Sequence, residues 1–265
     1  MFKIRSAIPE KTRWIIGGAT VTVFAAVWLG VTLSGLIPPT TLPSPVDLVS
    51  AIPELHTEKF MLANALVSLL RITIGFALAA VVAVPLGILM GAFTPVRAAV
   101  QPVIGPLRYL PIAAIVPIFI FWFGLAEEMK IMLLFVGTFM YLLPLMVETV
   151  DQVDDVYLKT ASTLGATRWQ IITTILLPAS IPAIYEALRV MFGIGWTYVM
   201  LAEFVSDEST GFGYGGIGYL INNLRRYGSL SEVLVCVVLI LVIGVIVDLL
   251  MGWFGRQLFP WTRRD

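Results

Sequence analysis

Seven apolar stretches of this chain carry no charged side chain: 14–46, 72–96, 109–126, 131–147, 169–185, 190–202 and 233–247. A bilayer crossing takes about 20 mostly apolar residues, because a helix rises about 1.5 Å per residue through hydrocarbon about 30 Å thick. In lipid each backbone N–H and C=O needs a protein partner, which a helix supplies from within its own segment, so apolar runs of this kind read as membrane-crossing helices. With Arg108 allowed inside one helix, and Glu186 and Arg189 inside another, the stretches resolve into six expected spans. These are about 14–36, 70–93, 97–124, 129–150, 174–205 and 231–254. The expected fold class is all-α: a polytopic membrane protein with six transmembrane helices in one transmembrane domain, 1–265. Only 13% of its 265 residues are charged, about half the fraction of a soluble domain.

The first span is longer than a signal peptide's apolar core and no small-residue cleavage site follows it, so it is expected to stay in place. Lys and Arg placement sets the orientation. With both termini inside, cytoplasmic segments hold ten (Lys3, Arg5, Lys11, Arg13, Arg97, Lys159, Arg168, Arg256, Arg263, Arg264) and outer loops four (Lys59, Lys130, Arg225, Arg226). Net charge is zero, so no basic surface points to nucleic acid. One cysteine, Cys236, and one histidine, His56, supply neither a disulfide framework nor a metal-ligating set.

Between two spans lies a polar island, Asp151 to Gln170. Asp154 and Asp155 stand where a short helix begins, and carboxylates suit the positive end of its dipole. Tyr157, Ala161 and Leu164 follow at i, i+4 and i+7 as an apolar face. Gly165 ends the helix and Trp169 takes an interfacial position at re-entry. A short helix lying across a membrane face can dock into a groove of a partner or rest on lipid alone, and the residues leave both open.

Gly165, followed after nine residues by Ile175 and then by Leu177-Pro178, resembles the cytoplasmic signature of permease subunits of binding-protein-dependent ABC importers. That signature opens Glu-Ala-Ala; here Lys159-Thr160-Ala161 stands in its place, without the glutamate and first alanine. Ser68-Leu69-Leu70-Arg71-Ile72, the run from Val84-Pro85 to Gly91, Trp122-Phe123-Gly124, Gly195-Trp196 and Ala202-Glu203-Phe204 are similar to the nitrate/sulfonate/taurine/bicarbonate branch. The resemblance covers about 60–255.

The resemblance implies a type I importer permease fold in the bacterial plasma membrane, with both termini cytoplasmic. It implies two copies around a central path, ABC ATPase subunits on the cytoplasmic side, and an extracytoplasmic solute-binding protein. The solute would be small: nitrate, taurine, an alkanesulfonate, bicarbonate or another metabolite. The coupling helix maps to about 155–167, with Tyr157, Lys159, Ala161, Leu164, Gly165, Ala166 and Arg168 as ATPase-coupling residues. No cofactor is implied for the chain itself. ATP is used by the partner, and no Gly-x4-Gly-Lys-Ser/Thr phosphate loop is present here.

A charge at the bilayer centre costs about 2.5–3.5 kcal/mol on insertion scales, so Arg108, Glu186 and Arg189 must face protein or water. Glu186 and Arg189, three apart on a helix, can pair with each other; equally, Arg108 or Arg189 can offer forked donors to an oxyanion. Trp196, Tyr198 and Glu203 are either interfacial anchors or part of a gate. The pathway candidates are therefore Arg108, Glu186, Arg189, Trp196 and Glu203, while Arg71 and Asp248 fall near the expected membrane surfaces and receive no role. Pro102, Pro106, Pro111 and Pro117 break the third span, which then faces a neighbour or a cavity. Loop 37–60 reads as an extended outer segment with a short helix at 46–53. The glycine run Gly211 to Gly218 within 206–229 lacks the preceding strand of a nucleotide-binding turn, and 206–229 reads as a glycine-rich outer loop, either folded back towards the pore mouth or a flexible turn.

No residue set resembles a catalytic triad, a metal site or paired hydrolytic acids, so a membrane-embedded enzyme ranks last. The alternative from another class is a stand-alone channel or ion-coupled secondary transporter. Such carriers often show matching broken helices in two halves, and no such pairing is visible.

Overall fold

The computed structural model describes residues 8–205 and 214–262. Its helices, in chain order, are α1 (Glu10–Leu33), α2 (Pro45–Thr57), α3 (Met61–Ala92), α4 (Thr94–Leu107), α5 (Ile112–Phe123) and α6 (Glu127–Asp151). They continue with α7 (Asp155–Thr163), α8 (Arg168–Phe204), α9 (Ile217–Tyr227) and α10 (Leu230–Leu258). Within α1, α3, α6, α8 and α10 lie five stretches long and apolar enough to cross a membrane, and the bent pair α4–α5 adds a sixth where it counts as one broken span rather than a re-entrant loop. The fold is all-helical and polytopic.

Two differences from the expected elements matter for function. Where one span was expected at 97–124, α4 and α5 meet at 97°. Tyr109 and Leu110 donate their N–H groups back to the carbonyls of Pro106 and Leu107 in tight turns, and Pro111, in extended conformation, opens α5. Proline has no N–H to continue the ladder and pushes the residue before it out of the helical region, so the chain turns a corner. Secondly, the stretch expected as a glycine-rich loop contains α9 in its described part; Gly211 and Gly213 lie outside the described residues. The glycines masked the amphipathic Leu220-Ile221-Asn222-Asn223-Leu224-Arg225-Arg226 that winds it.

The chain divides into two compact units, one drawn from Met1–Lys59 and Asn223–Val237, the other from Phe60–Asn222 and Val238–Asp265. In the first, α2 starts with a capping box: the Ser44 hydroxyl accepts from the Asp47 N–H at 3.2 Å and the Asp47 carboxylate accepts from the Ser44 N–H at 2.8 Å. The box satisfies two donors that a helix start leaves orphaned. Lys59 pairs with Glu54 at 3.2 Å and with Glu232.

In the second unit α6 is the central helix and packs on α3 and α8. Glycines let α3 and α6 approach: a Cβ on Gly75, Gly87 or Gly91 would run into Leu134, Met146 or Val150. Helices in lipid gain little from excluding water, so close contact at small residues holds them together. Around this seam Ala79, Ala83, Leu142, Leu143, Met146 and Met191 form a buried core. Near its start α8 passes through a π segment, Ile172–Leu176, in which the Leu177 N–H reaches the Ile172 carbonyl. Pro178 cannot donate to the carbonyl four residues back, and the ladder slips by one residue just ahead of it.

Candidate functional site

The polar island folds into a helix, a turn and a second helix start. Asp154 caps α7 by accepting the Val156 N–H at 2.9 Å. Gly165, at φ +82°, ends the segment in the left-handed conformation that a Cβ disfavours. The Ala166 N–H closes on the Ala161 carbonyl at 3.1 Å, satisfying a carbonyl the helix leaves open. Thr167 then begins α8 through a capping box with Gln170, whose Oε1 accepts the Thr167 N–H at 2.8 Å.

The expected apolar face of Tyr157, Ala161 and Leu164 is split. Ala161 is buried, whereas Tyr157 is 61% and Leu164 82% exposed. Leu164 follows the last helical residue, so the turn swings it outward. Lys159, Gly165 and Arg168 are exposed and Ala166 is half-buried; Lys159 makes a surface pair with Asp155 at 3.3 Å, a contact of small energetic value. Leu158 packs with Val150, Ile172 and Leu176 and holds the segment onto the membrane helices. A cleft of about 500 Å³ lies beside it, lined by Phe93, Pro95, Val153, Leu158, Arg168 and Ile172.

The second feature is a buried charge cluster that sequence reasoning missed. Arg71 is fully buried and uses all five N–H donors. Nε and Nη2 hold the two oxygens of Glu127 at 2.7 and 2.5 Å, Nη1 holds Glu203 at 2.7 Å, and the carbonyls of Gly215 and Tyr214 take the rest at 2.7 and 3.1 Å. Lys130 donates to Glu127 at 3.0 Å. Two acids face two bases, so ion pairing offsets part of the desolvation cost of burying them.

Glu203 also accepts the Gly218 N–H at 2.8 Å and the Ser68 hydroxyl at 2.8–2.9 Å; Ser68 Oγ accepts the Ile217 N–H at 2.8 Å and Asn64 Oδ1 the Gly216 N–H at 3.0 Å. Three successive N–H groups at the start of α9 are thereby satisfied by side chains, with a carboxylate at the positive end of the helix dipole. Gly216, at φ +98°, and Gly218 face that carboxylate so closely that a Cβ would strike it.

A signal for Arg71 was present, since it is the only charged residue between Lys59 and Arg97. It read as a surface residue because the span was expected to begin at 70. With α3 beginning at Met61, Arg71 sits ten residues in, about 15 Å along the axis, on one face with Asn64 and Ser68.

The expected pathway residues are dispersed. Glu203 belongs to the cluster. Arg189 forks onto Asp248 of α10 at 2.7 Å through both Nε and Nη2, and reaches the exposed Glu186 at 3.3 Å. Trp196 is buried, its Nε1 facing Gly244 without a hydrogen-bond partner. Arg108 is exposed at the α4–α5 elbow.

Apolar helices long enough to cross a membrane, a bent helix pair and a polar helical turn are the parts of a membrane permease, and comparison with known families assigns that class. The family described as binding-protein-dependent transport system inner membrane component matches residues 83–260. The chain belongs to that family and is a permease subunit of an ABC importer. A putative ABC transporter permease of Methanocaldococcus jannaschii is 34% identical over 77% of this chain and 74% of its own length. The taurine transport system permease of Escherichia coli is 28% identical over 91% and 88%. Other relatives are named for aliphatic sulfonates in Bacillus subtilis (29% identical over 94% and 88%) and for nitrate in Synechococcus elongatus (28% over 91% and 88%). Among solved structures, an inward-facing form of the MetNI methionine ABC transporter superposes with a TM-score of 0.64 at 18% identity, covering 78% of this chain and 100% of the other. The shared fold is that of a type I importer permease.

Proposed function

We propose that this chain is the transmembrane permease of an ATP-driven importer for a small oxyanion of the sulfonate, taurine, nitrate or bicarbonate kind. It acts as one transmembrane domain, and two copies of it enclose the path. Separate ATPase subunits hydrolyse ATP, an extracytoplasmic binding protein delivers the solute, and both termini are cytoplasmic, as the Lys and Arg distribution favours. Membership of the family and the solutes named for three of these relatives support the substrate class.

The observation that carries the mechanism is the α7 turn. It presents Tyr157, Lys159, Leu164 and Arg168 outward while Leu158 and Ala161 root it in the membrane helices. A partner groove filled by Leu164 and Tyr157 transmits ATPase closure through α7 into α6 and α8, which rock the path between outward- and inward-facing states. Arg108 and Trp196 belong to the path. Glu186, Arg189 and Glu203 shape it: Arg189 through its fork to Asp248, Glu203 through the cluster.

Co-purification from mild detergent with the products of neighbouring genes tests this reading. A stable complex with an ATPase subunit, lost on combining Gly165→Val with Ala161→Glu, is the expected result. A chain that purifies alone and moves solute in liposomes without ATP would instead establish a channel or carrier.

A further inference from the structure

Arg71, Arg97 and Arg189 each hold a carboxylate, Arg97 through Asp151 at 2.7 Å. Arg108 makes no ion pair among the described residues. Its Nη2 donates to the Tyr109 hydroxyl at 3.1 Å, its guanidinium carbon lies 5.1 Å from the centre of that ring, and the Tyr141 hydroxyl donates to its carbonyl at 3.1 Å. Arg108 is exposed and Tyr109 is 75% exposed. Both stand at the elbow where α4 gives way to α5. Irregular backbone at membrane depth is tolerated only where protein or a water-filled cavity meets it.

A cleft of about 310 Å³ runs from this elbow along α4 and α6, lined by Arg97, Gln101, Gly105, Arg108, Glu148 and Asp151 among others. Its negative charge is gathered at the far end. Asp151 is taken by Arg97, and Glu148 lies two turns of α6 beyond Tyr141, about 10 Å along the axis. A guanidinium left uncompensated in a membrane is costly. Among the described residues this one gives only one of its five N–H donors to a partner, the Tyr109 hydroxyl, and its guanidinium lies over the Tyr109 ring.

We propose that Arg108, oriented by Tyr109 and Tyr141, is a contact site for a small oxyanion on its way through the membrane, and that it biases the path against cations. Forked donors match two oxygens of a planar or tetrahedral oxyanion. The solute's passage at this point rests on the importer reading above; the placement of the Arg108 charge in the cleft, without an ion-pair partner among the described residues, does not.

Gly105 suits a probe. It lines the same cleft one turn from Arg108, a Cβ added there meets no neighbouring atom within 4 Å, and the native Cys236 is buried. In the full chain carrying Gly105→Cys, reaction rates are compared for an anionic sulfonatoethyl and a cationic trimethylammonioethyl methanethiosulfonate. Adding Arg108→Gln is expected to lower the anion-to-cation rate ratio about tenfold, and Arg108→Lys to preserve it. In liposomes holding the complete importer, Arg108→Gln lowers ATP-driven uptake of taurine or nitrate about tenfold, with ATPase stimulation by the binding protein retained. If Arg108→Gln does not accumulate, Arg108→Lys, which keeps the charge and loses the fork, is expected to raise the KM for uptake. An unchanged rate ratio or unchanged uptake kinetics overturns the proposal. Loss of the paired permease in Arg108→Gln also overturns it, by assigning the guanidinium to a carboxylate of the second copy. If the wild-type importer takes up none of these anions, the oxyanion reading fails and the rate ratio still decides the site.

Discussion

Arg71 and Glu203, 132 residues apart in sequence, meet in a 2.7 Å ion pair in which neither side chain is exposed. Through them α3 and the end of α8 are tied to the start of α9. Removing one member strands the other charge in a dry site, which typically costs about 3–5 kcal/mol. Arg71→Met is expected to cost about that much, and Arg71→Met with Glu203→Gln markedly less than the sum of the single changes. Denaturant unfolding in detergent, run as a double-mutant cycle, measures the coupling.

Gly216→Ala places a Cβ against the Glu203 carboxylate and forces a non-glycine residue to φ +98°. Strain of this kind costs about 1–3 kcal/mol. The expected outcome is faster amide exchange over 216–222, with protection of the α3–α6 seam unchanged. Equal protection of α9 in wild type and variant would show that this contact does not hold the helix.

Leu164→Asp changes an 82% exposed side chain beyond the end of α7. Surface changes of this sort stay within about 0.5 kcal/mol of wild-type stability. Thermal midpoint and yield of the permease alone should therefore not move, while recovery of the ATPase subunit in pull-downs falls at least about tenfold, the loss of one good apolar contact.

Asp47 lies outside the membrane-crossing helices, and hydrogen bonds from the Ser44 amide and hydroxyl hold its carboxyl below the ordinary value of 3.8. Because the folded form titrates lower than the unfolded one, the stabilisation is fully present above that ordinary value. It disappears as pH falls through the folded value. Exchange protection at the start of α2 should be flat from neutral pH to about pH 5 and decline only below the carboxylate range; in Asp47→Asn the acid step should vanish.

Much of this protein is legible from local pattern. Apolar length announces the spans, Asp154 and Gly165 announce the bounds of α7, and the Gly165 to Pro178 spacing points to the family. Less legible is what the charges do. Arg108, Glu186, Arg189 and Glu203 all appear among the pathway candidates, yet Arg108 stands exposed at the α4–α5 elbow, Arg189 meets Asp248 on another helix with Glu186 beside it, and Glu203 caps α9.

Span length, helix stops and family signature are short-range properties, set by hydrophobic transfer and backbone conformation over ten to thirty residues, and the chain carries them in plain order. Which charges neutralise one another depends on the register in which α3, α6 and α8 pack. Arg71 finds Glu127 56 residues away and Glu203 132 away because glycines at 75, 87 and 91 bring α3 against α6 at one height. That register is a property of three packed helices together, and no local window of the chain contains it.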